Sequence, residues 1–160
     1  MKLNPLYESK RDWQEDFKKY LNENRTLAYM MLKKSEEFKG KTALIQKNNN
    51  NEWETISWDI FGEKIKAVAK ALIDLKLQPG EMCAIFSQNR AEWAISDLGI
   101  LATRAVSVPI YATNSKEEAE YIINDAEVKI LFTGDQNQYD KAKAIIANNS
   151  YLKLIVAFDR

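Results

Sequence analysis

From residue 82 onward the chain repeats one pattern. Short apolar runs at residues 82–87, 105–109, 128–133 and 153–158 are centred near 85, 107, 131 and 155, which places them 22 to 24 residues apart. None alternates polar with apolar, as suits strands buried on both faces of a parallel sheet. A helical segment fills each gap, at 90–103, 116–125 and 137–148. Asn89 with Glu92, and Ser115 with Glu118, have the spacing of helix-capping pairs. In the third segment Ala142, Ile145 and Ile146 mark the inner side. Strand and helix alternating at this interval require right-handed crossovers. The expected fold is α/β: a doubly wound, mostly parallel sheet with flanking helices.

Upstream the pattern differs. Residues 9–22 predict a helix with Ser9 and Asp12 in a capping box and Trp13, Phe17 and Leu21 on one face, expected to dock on the domain. Thr26 caps a second helix with Leu27, Met30, Met31 and Phe38 as its buried stripe. Residues 42–46 and 53–57 form a small β-hairpin across an asparagine-rich turn. Ser57 then caps a long helix over 58–76, whose apolar face is Phe61, Ile65, Val68, Leu72 and Leu75. Gln78, Pro79 and Gly80 end it. We divide the chain into an N-terminal helical segment, 1–41, and an α/β part, 42–160.

Composition narrows the chemistry. The sequence has no histidine, one cysteine (Cys83) and five glycines. Histidine triads, histidine zinc sites and internal disulfides are excluded. The glycines lie too far apart for either common glycine-built phosphate cradle. The 23 basic residues balance 23 acidic ones, which argues against a nucleic-acid partner. No apolar run reaches the roughly 20 residues of a membrane span, and the N-terminus lacks a signal-peptide core. The lone thiol suits a reducing compartment. The expected location is the cytoplasm, with peripheral membrane attachment as the alternative.

In open α/β sheets ligands sit outside the C-terminal ends of the strands. The candidates there are Ser87, Asn89, Arg90, Tyr111 and Thr113. They are either ligand contacts or, as Asn89 and Ser115 suggest, caps and solvated loop. Asp125, Glu127, Glu117 and Glu118 have no partner base or metal set. A flavodoxin would need a hydroxyl- and glycine-rich loop where Ser87-Gln88-Asn89-Arg90 stands. A receiver domain would need acids at strand ends held here by Ser87, Pro109 and Thr133.

Five ordered pieces of residues 42–160 resemble the N-terminal part of AMP-forming acyl-CoA synthetases, adenylate-forming ligases. Ile56-Ser57-Trp58-Asp59-Ile60-Phe61 is similar to the family's first core motif. Leu77-Gln78-Pro79-Gly80-Glu81 is similar to its glycine turn, with Lys76 replacing the first glycine and Glu81 the aspartate. Ser87-Gln88-Asn89-Arg90-Ala91-Glu92-Trp93 resembles "S-x-N-R-x-E-W". Residues 101–111, LATRAVSVPIY, resemble the second core motif, with Arg104 where glycine is usual. Residues 113–123 follow "T-x-S-x-x-E-x-x-Y-I-[IL]". The third and fourth pieces lean toward the long-chain fatty-acid branch.

The resemblance implies part of a two-step ligase. A fatty-acid carboxylate attacks the α-phosphate of ATP, with magnesium, to give acyl-AMP and pyrophosphate; the CoA thiol then takes the acyl group and releases AMP. The phosphate loop, adenine motif and catalytic lysine of the family are not among these residues, and the loop is expected after residue 160. The implied reading is an incomplete N-terminal subdomain with no catalytic, cofactor-binding or metal residue of its own, inactive alone and prone to self-association. ATP, magnesium and CoA belong to the complete enzyme. Another acyl- or aryl-adenylating enzyme, or a non-catalytic α/β binding module, are the alternatives.

Overall fold

In the computed structural model, residues 13–23, 26–48 and 50–159 are described. The chain runs through α1 (Trp13–Glu23) and α2 (Leu27–Glu37), then the antiparallel hairpin of β1 (Thr42–Lys47) and β2 (Trp53–Ser57). The long helix α3 (Trp58–Asp74) leads into strict alternation: β3 (Met82–Phe86), α4 (Ala91–Ala102), β4 (Val106–Ile110), α5 (Lys116–Asp125), β5 (Ile130–Thr133), α6 (Gln136–Ile146) and β6 (Leu154–Ala157).

The four later strands form one parallel sheet in the order β4-β3-β5-β6. The chain therefore moves outward from β3 to β4, then jumps back across β3 to β5. Crossovers in opposite directions with one handedness place their helices on opposite faces. So α3 and α4 cover one face, where Leu72 and Ile100 meet Cys83 and Ile85. On the other face, under α5 and α6, Ile123 and Ile145 meet Ala84 and Phe86. A third cluster joins the hairpin to α3 and α4 through Ile56, Phe61, Ile65 and Ile95.

Close helix packing depends on two small residues. A Cβ on Gly62 would stand 2.2 Å from the Ser35 hydroxyl of α2, and one on Gly99 of α4 would stand 2.5 Å from Val68 of α3. Three elements end on residues in left-handed backbone without being glycine: Lys76 (φ 65°), Arg104 (φ 66°) and Glu127 (φ 51°). Lys76 and Glu127 close their helices by paired bonds: Lys76 N–H donates to Ile73 O and Leu77 N–H to Leu72 O, while Glu127 N–H donates to Asn124 O and Val128 N–H to Ile123 O. This is the Schellman arrangement, which favours glycine at the left-handed position. Arg104 makes the shorter version, donating to Leu101 O. The turn is thus the glycine type, with an exposed arginine in it.

Several expectations are corrected. Asn89 does not cap α4: Arg90 holds the cap position without a side-chain cap bond, and the hairpin supplies the acceptor, as Gln46 Oε1 takes the Ala91 N–H at 2.9 Å. Ser57 holds the cap position of α3 but makes no cap bond. Helix α6 starts earlier than expected because Asp135 and Gln138 form a capping box. In α2 the buried residues are Ala28 and Ser35, Leu27 being 50% exposed; Ser35 tolerates burial by donating to Leu32 O at 2.7 Å. Leu75 is exposed because α3 stops at Asp74, and Leu77 turns inward in its place. Strands β4 and β6 are the sheet edges, so Val106 and Pro109 are exposed and not buried on both faces. On α1, Phe17 and Leu21 are 53% and 50% exposed, so the expected docking face is open to solvent at both positions. The Ser9–Asp12 capping box lies outside the described residues.

Candidate functional site

The strand order puts the switch point of the sheet between β3 and β5, where such folds usually open a ligand crevice. Here that crevice is closed by contact. Gly134, just after β5, packs against the loop after β3 so tightly that a Cβ would stand 2.4 Å from Ser87 Oγ and 2.7 Å from Gln88 Oε1. Its N–H donates to Phe86 O at 3.0 Å. The Ser87 hydroxyl is buried and donates to Gln88 O.

The five candidate residues divide between two hollows. Ser87, Asn89, Tyr111 and Thr113 line one of about 450 Å³ between the ends of β3 and β4, walled by Trp93 and Pro109. Tyr111 is 82% exposed there. The loop carrying Tyr111 and Thr113 is held from α6: Gln138 Nε2 donates to Ala112 O at 3.2 Å, and Lys141 Nζ to Asn114 O at 2.9 Å. Ser115 and Glu118 form the expected capping box at its far end.

Arg90 points into a second, polar hollow of about 650 Å³ between the hairpin and the sheet, shared with Gln46, Glu54, Glu92 and Asp159. Its guanidinium is bidentate to Asp159, 2.8 Å on each arm. Nε donates to Glu92 at 2.8 Å. Planar fork-to-carboxylate pairing of this kind is among the stronger charge-assisted contacts. The hydrogen bonds donated by Arg90 hold the Asp159 carboxyl below its usual range, and the same bonds raise the guanidinium further still. Burial is the largest single influence on Glu92 and works to raise it, but the Arg90 hydrogen bond, a backbone N–H and the charges of Arg90 and Lys64 together outweigh it and the carboxyl is lowered. Sequence reading found Arg90 but not Gln46, which lies 45 residues before its partner Ala91, or Asp159, which lies 69 residues beyond Arg90; neither carries a local signal. Asp135 with Gln138 did carry one, the capping spacing.

Neither nucleotide nor magnesium fits these residues. Among the described residues no group of three or more acidic or thiol side chains could hold a metal, the arginine is engaged by carboxylates, and the switch-point crevice is filled. No helix among them is long and apolar enough to cross a membrane.

The architecture recurs in solved proteins. The anthranilate CoA ligase AuaEII superposes with a TM-score of 0.72 at 25% identity, covering 82% of this chain and 24% of that one. A benzoate CoA ligase from Burkholderia xenovorans gives 0.71 at 18%, covering 81% and 25%. In sequence, the chain is 34% identical over 116 residues to the mouse long-chain-fatty-acid–CoA ligase ACSBG2, which is 72% of this chain and 17% of the relative. It is 42% identical over 80 residues to the long-chain-fatty-acid–CoA ligase FadD15 of Mycobacterium bovis, half of this chain and 13% of that protein. The chain thus spans less than a fifth of either relative's length. Residues 32–160 match the model of the AMP-binding enzymes, so the chain belongs to the AMP-binding enzyme family.

Proposed function

We propose that these residues are the N-terminal α/β part of an AMP-forming ligase that activates long-chain fatty acids with ATP and passes the acyl group to CoA. The observation that carries the reading is the family match over residues 32–160 joined to 34% identity across 72% of the chain with a long-chain-fatty-acid–CoA ligase. The role of this part is to supply a rigid sheet and its rim; phosphate, metal and thiol chemistry fall to other parts of the complete protein. Magnesium, ATP and CoA are its expected co-reactants. Cytoplasmic placement rests on the lone, buried thiol of Cys83.

The test compares two proteins. The 160-residue chain should give no fatty-acid-dependent exchange between ATP and pyrophosphate, whereas the complete protein encoded with it should give a clear one with long-chain acids. Robust exchange from the 160-residue chain would place the chemistry here after all. Activity of the complete protein on aryl acids alone would favour an aryl-adenylating relative. The sheet face beside β6, where Phe132, Val156 and Phe158 line a shallow hollow, supports a further part of the same reading: in isolation the chain self-associates.

A further inference from the structure

Arg90 is the candidate whose charge would most readily be assigned to a substrate phosphate, yet four of its five N–H donors are already used. Nη1 and Nη2 bind the two oxygens of Asp159, Nε binds Glu92, and Nη1 also reaches the Gly134 carbonyl at 3.4 Å. The guanidinium lies 5.6 Å from the centre of the Phe158 ring, which packs 6.0 Å from Phe132 of β5. These partners come from three places in the chain. Glu92 opens α4, Gly134 follows β5, and Phe158 with Asp159 follows β6. Two carboxylates against one guanidinium leave no surplus positive charge in this contact set for an incoming anion. Lysine could not substitute, because one ammonium cannot hold a carboxylate by two parallel bonds and a second by a third in the same plane.

We propose that Arg90 is a positioning residue: it pins the chain leaving β6 to the loops after β3 and β5, and it does not bind substrate phosphate. The proposal rests on the ligase reading above only for its kinetic consequence.

Both consequences can be measured. In the complete protein, Arg90→Gln, Arg90→Lys and Asp159→Asn should each lower kcat of acyl-adenylate formation about tenfold while KM for ATP stays within about twofold, since geometry and not a ground-state contact is lost. The double variant Arg90→Gln/Asp159→Asn should be no worse than either single one, the mark of two residues acting as one unit. A roughly tenfold rise in KM for ATP confined to the Arg90 variants, with Asp159→Asn like wild type, would overturn the proposal. So would effects that multiply in the double variant. In the same proteins, amide hydrogen exchange at Leu154 to Ala157 should accelerate equally in Arg90→Gln and Asp159→Asn. Unchanged exchange in both would also overturn the pin. If the complete protein makes no acyl-adenylate, the ligase reading fails, and the exchange measurement still decides the role of Arg90. Asp159→Asn, a near-isosteric change at a half-exposed side chain, keeps the test open should Arg90→Gln fail to fold.

Discussion

Cys83 sits at the centre of the sheet with no exposed surface. Burial, helped by the charge of Glu81, pushes its thiol up to about 12. Since the thiolate is the reactive form, Cys83 should stay unmodified by a disulfide reagent at pH 8 in the folded protein and react at once in denaturant. Gly134 is constrained from outside: with Ser87 Oγ 2.4 Å from its would-be Cβ, Gly134→Ala should destabilise by about 1–3 kcal/mol, the usual cost of overpacking. Ser87→Ala, by removing that oxygen, should recover part of the loss in a urea titration of the double variant. Arg90 has a pH signature as well. Asp159 and Glu92 are both held below their usual values of 3.8 and 4.5. A carboxyl lowered in the folded state stabilises it above the usual value and loses that contribution as the pH falls through the lowered one. The difference in Tm between wild type and Arg90→Gln should therefore be constant near neutral pH and shrink once the pH drops below the usual carboxylate range. A difference that grew in acid would contradict the pairing.

At the scale of elements, the left-handed residues show what could be read in advance and what could not. Lys76 and Arg104 stood out because they occupy positions where glycine is usual in the resembled family, and both adopt the backbone that glycine would. Glu127 does the same with no such warning, because nothing in the helix pattern of α5 says that its end turns left-handed. A side chain in that conformation is strained, while glycine gives back part of the gain through its greater freedom when unfolded. Lys76→Gly, Arg104→Gly and Glu127→Gly should thus each raise stability by about 0.5–1 kcal/mol, checked by chemical denaturation of the single and triple variants. The start of α4 shows the opposite limit. Asn89 had the local spacing of a cap, but the bond to the Ala91 N–H comes from Gln46, 45 residues earlier. Local spacing can reveal a capping box such as that of Ser115 with Glu118; an acceptor delivered by a neighbouring hairpin depends on tertiary placement. Gln46→Ala should cost about 1–2 kcal/mol by leaving that N–H unpaired, and Asn89→Ala close to nothing.

At the scale of the whole molecule, the 22-to-24-residue rhythm carried the parallel sheet and its helices, but not which strands lie at the edges. All four runs are mainly apolar, and strand order follows from crossover direction, which no single run encodes. The two edges differ in a way that matters for the isolated chain. β4 carries Pro109, which has no N–H to offer a visiting strand. β6 reads Leu-Ile-Val-Ala, with neither a charge nor a proline to blunt it. Beside it the shallow hollow lined by Phe132, Val156 and Phe158 extends the apolar surface toward α3. In the complete protein we expect other parts of the AMP-binding domain to cover this side. Alone, the 160-residue chain should associate through it, giving sedimentation coefficients that rise with concentration. Val156→Lys places a charge on that surface and should restore monomers. Val106→Lys, an equivalent change at the proline-bearing edge, should leave association intact. A wild-type chain that sediments as a monomer at high concentration would remove β6 as the adhesive edge, and equal rescue by both lysines would show that added charge, and not the location of the surface, controls the effect.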